Sequence, residues 1–173
     1  HLLSLYPIVP EESKKKIYEF GKIMLQTENK EITKSAFEIL KDDPQNKKII
    51  FQCLLRGTLE YEEIRPYIDS NNLDKENVYW YRIMEGIEID ESCFPELDDM
   101  FCAIKYGSFK LIDKIAESIP TLIEKGFVIS HLLNQMFDVK NINIKKLSPI
   151  FNQIPTELFV LPKNLDKPNL ILK

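Results

Sequence analysis

The sequence predicts an all-α fold, with short antiparallel helix pairs stacked as an irregular α-solenoid and a proline-rich C-terminal strap. Three observations predict it. Apolar residues recur at spacings of three and four through most of the chain, the period of a helix that buries one face. The chain has only five glycines, and several stand directly after an apolar-periodic segment, where a helix C-cap is expected. Residues 98–116 read as one such segment, then Gly107, then a second segment, the pattern of a helix–turn–helix cassette that usually belongs to an array.

The punctuation assigns the elements in order. Pro10 suits a first helical position, Glu11 and Glu12 favour the positive end of the helix dipole, and Ile17, Phe20 and Met24 form the apolar face of a helix ending near Thr27. Residues 31–41 carry Ile32, Ala36, Phe37, Ile39 and Leu40 on a second helix. Asp43 is expected to cap a third, opened by Pro44 and closed by Gly57. Thr58 is expected to begin the next. Pro66 should bend or end it, because proline lacks an N–H and crowds the preceding turn. The turn cluster over residues 69–74 leads, through Asp74 as cap, into a helix reaching Gly86. After a loop over residues 87–94, Pro95 opens the first helix of the cassette, Gly107 separates it from the second, and Pro120 is expected to stop the second. Residues 121–125 and 127–137 read as helical on either side of Gly126.

Past Asp138 the periodicity weakens, and Pro149, Pro155, Pro162 and Pro168 recur every six or seven residues. The expectation there is a short helix begun by Pro149 and ended before Pro155. A short strand or extended strap over residues 157–161 would then pack through Leu158, Phe159, Val160 and Leu161. The reading is one helical domain over residues 1–173, with the array in 10–138 and an irregular segment in 139–173. A first residue of His1 rather than Met reads as a piece of a longer chain.

With 44% hydrophobic and 29% charged residues, the 173-residue chain has the composition of a folded globular domain. A formal charge of −4 and a pI near 5.4 give no overall attraction to nucleic acid or to an anionic membrane. No apolar run approaches the ~18 residues that a membrane span needs. Cys53, Cys93 and Cys102 are odd in number and widely spaced, and no Asn-x-Ser/Thr sequon occurs, which reads as a reducing intracellular compartment, cytoplasmic or nuclear.

Internal comparison aligns the segment from Ile50 to Leu59 with that from Met100 to Phe109, so that Gly57-Thr58 falls on Gly107-Ser108. Either internal repetition or the ordinary preference for glycine followed by a hydroxyl residue between helices produces such a match. Residues 103–115 resemble the helix–Gly–helix centre of an ankyrin repeat, with Ala103 four positions before Gly107 and the aliphatic pair Leu111-Ile112 after it. The resemblance implies stacked helix pairs. Residues 107–136 resemble a pentatricopeptide helix pair, and that family binds single-stranded RNA.

The signatures of catalysis are missing. There is no Gly-x-x-x-x-Gly-Lys-Ser/Thr or Gly-x-Gly-x-x-Gly loop, so no nucleotide cofactor is expected. His1 and His131 are the only histidines and no Cys-x-x-Cys occurs, so no metal is expected. A thiol enzyme would need Cys53 or Cys102 beside His131, yet both cysteines sit on apolar helix faces and read as inert. Residues 69–80 fail as a calcium loop, with Asp74 where glycine is required and Trp80 where a bidentate glutamate is required.

Binding signals are stronger. Between Met84 and Ile104 stand Glu85, Glu88, Asp90, Glu91, Glu96, Asp98 and Asp99, with no lysine or arginine. Such a block is either a docking surface for a protein with a basic surface or a solvated loop followed by dipole-favouring acids. Tyr79, Trp80 and Tyr81 are consecutive and cannot all face a core from one helix. The expected role is therefore a non-enzymatic protein–protein interaction or scaffold module, its concave groove lined by Tyr79, Tyr81, Glu88, Asp90 and Glu91. One alternative is a single-stranded RNA-binding helical repeat using Lys14, Lys15, Lys16, Lys22, Lys145 and Lys146, although nucleic acid is not the expected partner. The other is an enzyme of unrecognised type, which would need a deep pocket with converging polar groups.

Overall fold

Pro10 leads into α1 (Glu11–Leu25), with Glu11 and Glu12 at the positive end of its dipole and Lys22 in its last turn. The structure, a computed structural model, describes residues 8–43, 46–70, 72–138 and 143–158. In α1 the buried positions are Gly21 and Leu25, whereas Phe20 is 48% exposed. Of the expected face, Met24 packs against the core and Ile17 is partly buried, but Phe20 is not part of it. α2 (Lys30–Leu40) packs so closely on α1 that a Cβ on Gly21 would lie 3.2 Å from Leu40 Cδ1. Asn29 caps α2 by accepting from the N–H groups of Glu31 and Ile32.

α3 (Lys47–Leu55) follows Asn46, and Pro44, its expected opener, lies outside the described residues. The N-cap position of α3 is held by Asn46 rather than by Asp43. The Asp43 carboxylate accepts from the Tyr18 hydroxyl, and its carbonyl accepts from Asn46 N at 3.0 Å. The fully buried Asn46 amide donates to Leu40 O and to Tyr18 Oη, each at 3.0 Å, tying α1 to the α2–α3 junction.

Thr58 likewise does not begin the next helix. Its buried hydroxyl donates back to Cys53 O at 3.1 Å, and a reciprocal capping box between Glu60 and Glu63 starts α4 (Tyr61–Ile64) instead. Pro66 acts as its chemistry requires, and the single α-turn passes into a 3-10 turn over Arg65–Tyr67. Asp74 precedes α5 (Lys75–Glu85) at the N-cap position without a side-chain capping bond. Gly86 ends α5 in the left-handed conformation, with φ of 68°. A 3-10 turn at Glu91–Cys93 and Pro95 lead into α6 (Leu97–Tyr106).

Proline does not stop the last helices. α7 (Phe109–Glu124), capped by Ser108, runs through Pro120, because the buried residues Ile119 and Leu122 hold the chain in register on either side. α8 (Ile129–Asp138) follows. α9 (Ile144–Phe151) contains Pro149 rather than starting at it. The carbonyl that loses its donor there is Lys145 O, and the Ser148 hydroxyl donates to it at 3.0 Å. Thr156–Leu158 forms a 3-10 turn instead of a strand or strap, with Leu158 packed on the core; Phe159, Val160, Leu161 and the prolines beyond lie outside the described residues.

The fold is all-α, and no strand occurs among the described residues. α1 packs on α2 and α3, α3 on α6, and α6 on α7 and α8, while α7 also packs on α5 and α9. The buried residues form one core cluster running from Leu25 to Ile154, with Trp80, Tyr79 and Phe51 its largest fully buried side chains.

The two segments that align in sequence are neighbours in space. Gly57 has φ of 64°, and a Cβ placed on it would lie 2.5 Å from Tyr106 O and 3.4 Å from Gly107 C. Gly86 has nearly the same φ, yet a Cβ there would meet nothing within 4 Å. The pair separates backbone strain from close packing. Gly86→Ala is expected to cost about 1 kcal/mol, the left-handed backbone alone. Gly57→Ala is expected to cost about 2 kcal/mol more, because an alanine methyl meets backbone that has no rotamer to change. Urea unfolding of the two variants measures the difference, and equal costs would remove this approach as a constraint.

Candidate interaction surface

α5 and the loop behind it carry all five residues expected to bind a partner. Gly86 reverses the chain, Ile87 N donates to Arg82 O at 2.9 Å, and the Arg82 guanidinium donates to Glu88 O at 2.8 Å and to Asp90 Oδ2 at 2.6 Å. Asp90 Oδ1 accepts from Ser92 N at 3.0 Å and from the Ser92 hydroxyl, and Cys93 Sγ donates to Asp90 O at 3.1 Å. Ile89 and Cys93 are buried and anchor the loop from below. The loop is therefore pinned against α5 along its length.

This geometry divides the five residues. Tyr79 is completely buried, with its ring edge-on to Trp80 at 4.8 Å. Its hydroxyl lies 2.8 Å from Ser118 Oγ, which itself donates to Ile115 O at 2.6 Å, so Tyr79 is the donor in a buried chain. Burial pushes its pKa upward. Tyr79 offers nothing to a groove, which corrects the expectation from sequence. Asp90 is committed to Ser92 and Arg82, and these hydrogen bonds hold its carboxyl at about 2. Tyr81 is partly exposed at the edge of α5, and Glu88 and Glu91 are exposed.

The wider acidic block divides in the same way. Glu85 accepts from the Tyr61 hydroxyl at 2.8 Å and pairs with Arg65, while Asp99 accepts from Gln52 Nε2 at 2.9 Å. Glu88, Glu91, Glu96 and Asp98 are exposed and enter none of the ion pairs among the described residues. The side chains available to a partner are thus Tyr81, Glu88 and Glu91, with Glu96 and Asp98 following at the start of α6.

The lysines of the RNA reading are placed separately. Lys14 pairs with Glu11 at 2.6 Å and Lys22 with Glu19 at 3.5 Å on α1, whose neighbours are α2 and α3. Lys145 and Lys146 lie on α9, which packs on α7. Lys146 Nζ reaches the C-terminal end of α6, donating to Lys105 O at 3.4 Å. Sequence reasoning missed Lys105 as the neighbour of Lys146. Its signal was the run Lys105-Tyr106-Gly107-Ser108-Phe109-Lys110, read only as a turn.

Features relevant to chemistry are sparse among the described residues. Burial pushes the Cys53 thiol up to about 11, and its Sγ donates to Leu25 O at 3.1 Å. Cys102, half-buried, is also shifted upward by burial, and His131 is exposed. A cleft of about 360 Å³ between α2 and α4 is lined by Lys34, Ser35, Phe37, Glu38, Glu63 and Tyr67. Its polar groups are engaged locally: Lys34 with Glu63 at 2.7 Å, Ser35 with Glu31 O, Glu38 with Lys41, and Lys41 over the Tyr67 ring. No group of three His, Cys, Asp or Glu suited to a metal occurs among the described residues, and no helix there is long and apolar enough to cross a membrane. Comparison with known protein families, with curated proteins and with solved structures yields no match to this chain.

The pinned loop makes a titration prediction. A carboxyl whose pKa is depressed in the folded state contributes stability above its unfolded pKa, and that contribution is lost as the pH falls through the folded value. For Asp90 the window runs from the ordinary value of 3.8 down to about 2. Arg82→Gln should raise the Asp90 pKa part of the way toward 3.8 while the Ser92 bonds persist, shrinking the stability lost across that window. Carboxyl NMR titration reads the shift, and an unmoved pKa would show that Arg82 does not hold the loop.

Proposed function

We propose that this chain is a non-enzymatic protein-interaction module, built as an irregular helical solenoid. The observation that carries the reading is the order of packing, in which α1, α3, α6 and α8 touch in succession and α7 joins α5 to α9. Such succession is how stacked helix pairs build extended surfaces, and extended surfaces serve binding. The turns after α3 and α6, touching at Gly57 and Gly107, support the same reading. So does the local pairing of the charged groups around the α2–α4 cleft, which leaves no converging polar set of the kind a reaction uses.

The binding face of this module is the outer side of α5 and its pinned loop, through Tyr81, Glu88 and Glu91. Its partner is a protein with a basic surface, drawn by charge and held by the tyrosine. A rigid loop suits this task, since its carboxylates are placed before the partner arrives. Affinity capture from the native source with the unaltered chain, and with Glu88→Lys/Glu91→Lys, tests the assignment. The reversed chain should lose at least one partner while keeping its thermal transition. An unchanged partner list would end the acidic-face reading.

A further inference from the structure

The C-terminal end of α6 gathers a second surface, opposite in charge to the first. Lys105 is exposed in the last turn, its Nζ 4.7 Å from the centre of the Tyr106 ring. From α9, Lys146 reaches back to Lys105 O, and Lys145 beside it is exposed. Tyr106 is 44% exposed, and across the Gly107-Ser108 turn Phe109 is 67% exposed. Lys110 spends its charge on Glu62, but no ion pair among the described residues engages Lys105, Lys145 or Lys146. Lys146 is also half-buried, and that desolvation lowers its pKa with no carboxylate opposing it.

A lysine at a helix C-terminus is ordinarily explained by the helix dipole. That accounts for the contact of Lys146 with Lys105 O. It leaves two uncompensated lysines, Lys105 and Lys145, and two large exposed rings in a chain whose net charge is −4. Cations beside exposed aromatic rings form a surface that meets carboxylates with its lysines and apolar side chains with its rings.

We propose that Lys105, Tyr106, Phe109, Lys145 and Lys146 dock an acidic segment of a partner protein in which carboxylates alternate with apolar side chains. Charge complementarity sets the sign of the occupant. Polypeptide is favoured over nucleic acid because three ammonium groups on a net negative chain neutralise few phosphates, and no arginine fork stands among them. The inference rests on the interaction-module reading and adds to it a second partner surface of opposite sign.

Fluorescence anisotropy with a labelled peptide of Glu-Glu-Leu repeats, titrated with the intact chain at low and moderate salt, tests the proposal. Binding should weaken as salt rises. It should fall about tenfold in Lys105→Glu/Lys145→Glu, and comparably in Phe109→Ser. These side chains are exposed, so circular dichroism should report unchanged folding. Lys15→Glu/Lys16→Glu makes the same charge change on α1 and should leave binding intact. Equal loss in that control, or tighter binding of a labelled oligouridine than of the peptide, would overturn the assignment. If the peptide fails to bind while Glu88→Lys/Glu91→Lys still strips a partner from the native chain, this surface is ruled out and the module reading stands.

Discussion

The contact between Gly57 and Gly107 is the constraint on which the rest of the fold depends. Helices normally keep their axes apart by the thickness of their side chains. At these two turns there are none, and backbone meets backbone. The ends of α3 and α6 are thereby drawn together, so that Cys53, Leu54, Met100 and Ala103 are fully or almost fully buried on neighbouring helices. From α6 the packing extends to α7 and α8, and from α3 to α1, α4 and α5. A side chain at Gly57 would push apart the junction through which the two halves of the core are continuous, whereas one at Gly107 would collide with Ala103 O and Leu111 Cδ2 of its own helix pair.

Much of this was legible locally. Gly57 and Gly86 end their helices in the left-handed conformation, as glycines after apolar-periodic segments should. Pro66 weakened the helix it entered. Where local reading failed, a distant partner had decided the outcome. Phe20 faces outward, while the next residue, Gly21, lies against Leu40 from α2. Thr58 looks like a cap, but its hydroxyl is taken by Cys53 O, and the N-cap position of α3 falls on Asn46, three residues past Asp43. Pro120 lies inside α7 because tertiary burial on both sides outweighs one missing hydrogen bond. The candidate site followed the same rule. The exposure of Glu88 and Glu91 was readable from composition, but the burial of Tyr79 depended on Ser118, 39 positions away, and the link from Lys146 to Lys105 spans 41.

Of the nine ion pairs among the described residues, four are local i,i+3 pairs and five link residues farther apart in the chain. Arg65 with Glu85 fastens the short α4 to the end of α5, Lys48 with Glu76 joins the starts of α3 and α5, and Lys110 with Glu62 joins α7 to α4. Exposed pairs of this kind each contribute little to stability. Their effect is to fix which helix ends stand together, and two of the three act at α4 and the 3-10 turn that continues it, the shortest α-helix among the described residues.

Cys53 gives the chain an internal witness of its own opening. Its sulfur is shielded by α1 and occupied by Leu25 O, and its thiol stays protonated at neutral pH. An alkylating reagent can reach it only when the packing around α3 opens, and lifting of α1 would free it from Leu25 O. The rate at which this one atom is modified would therefore report how often the packing around α3 opens, without a label or an engineered probe.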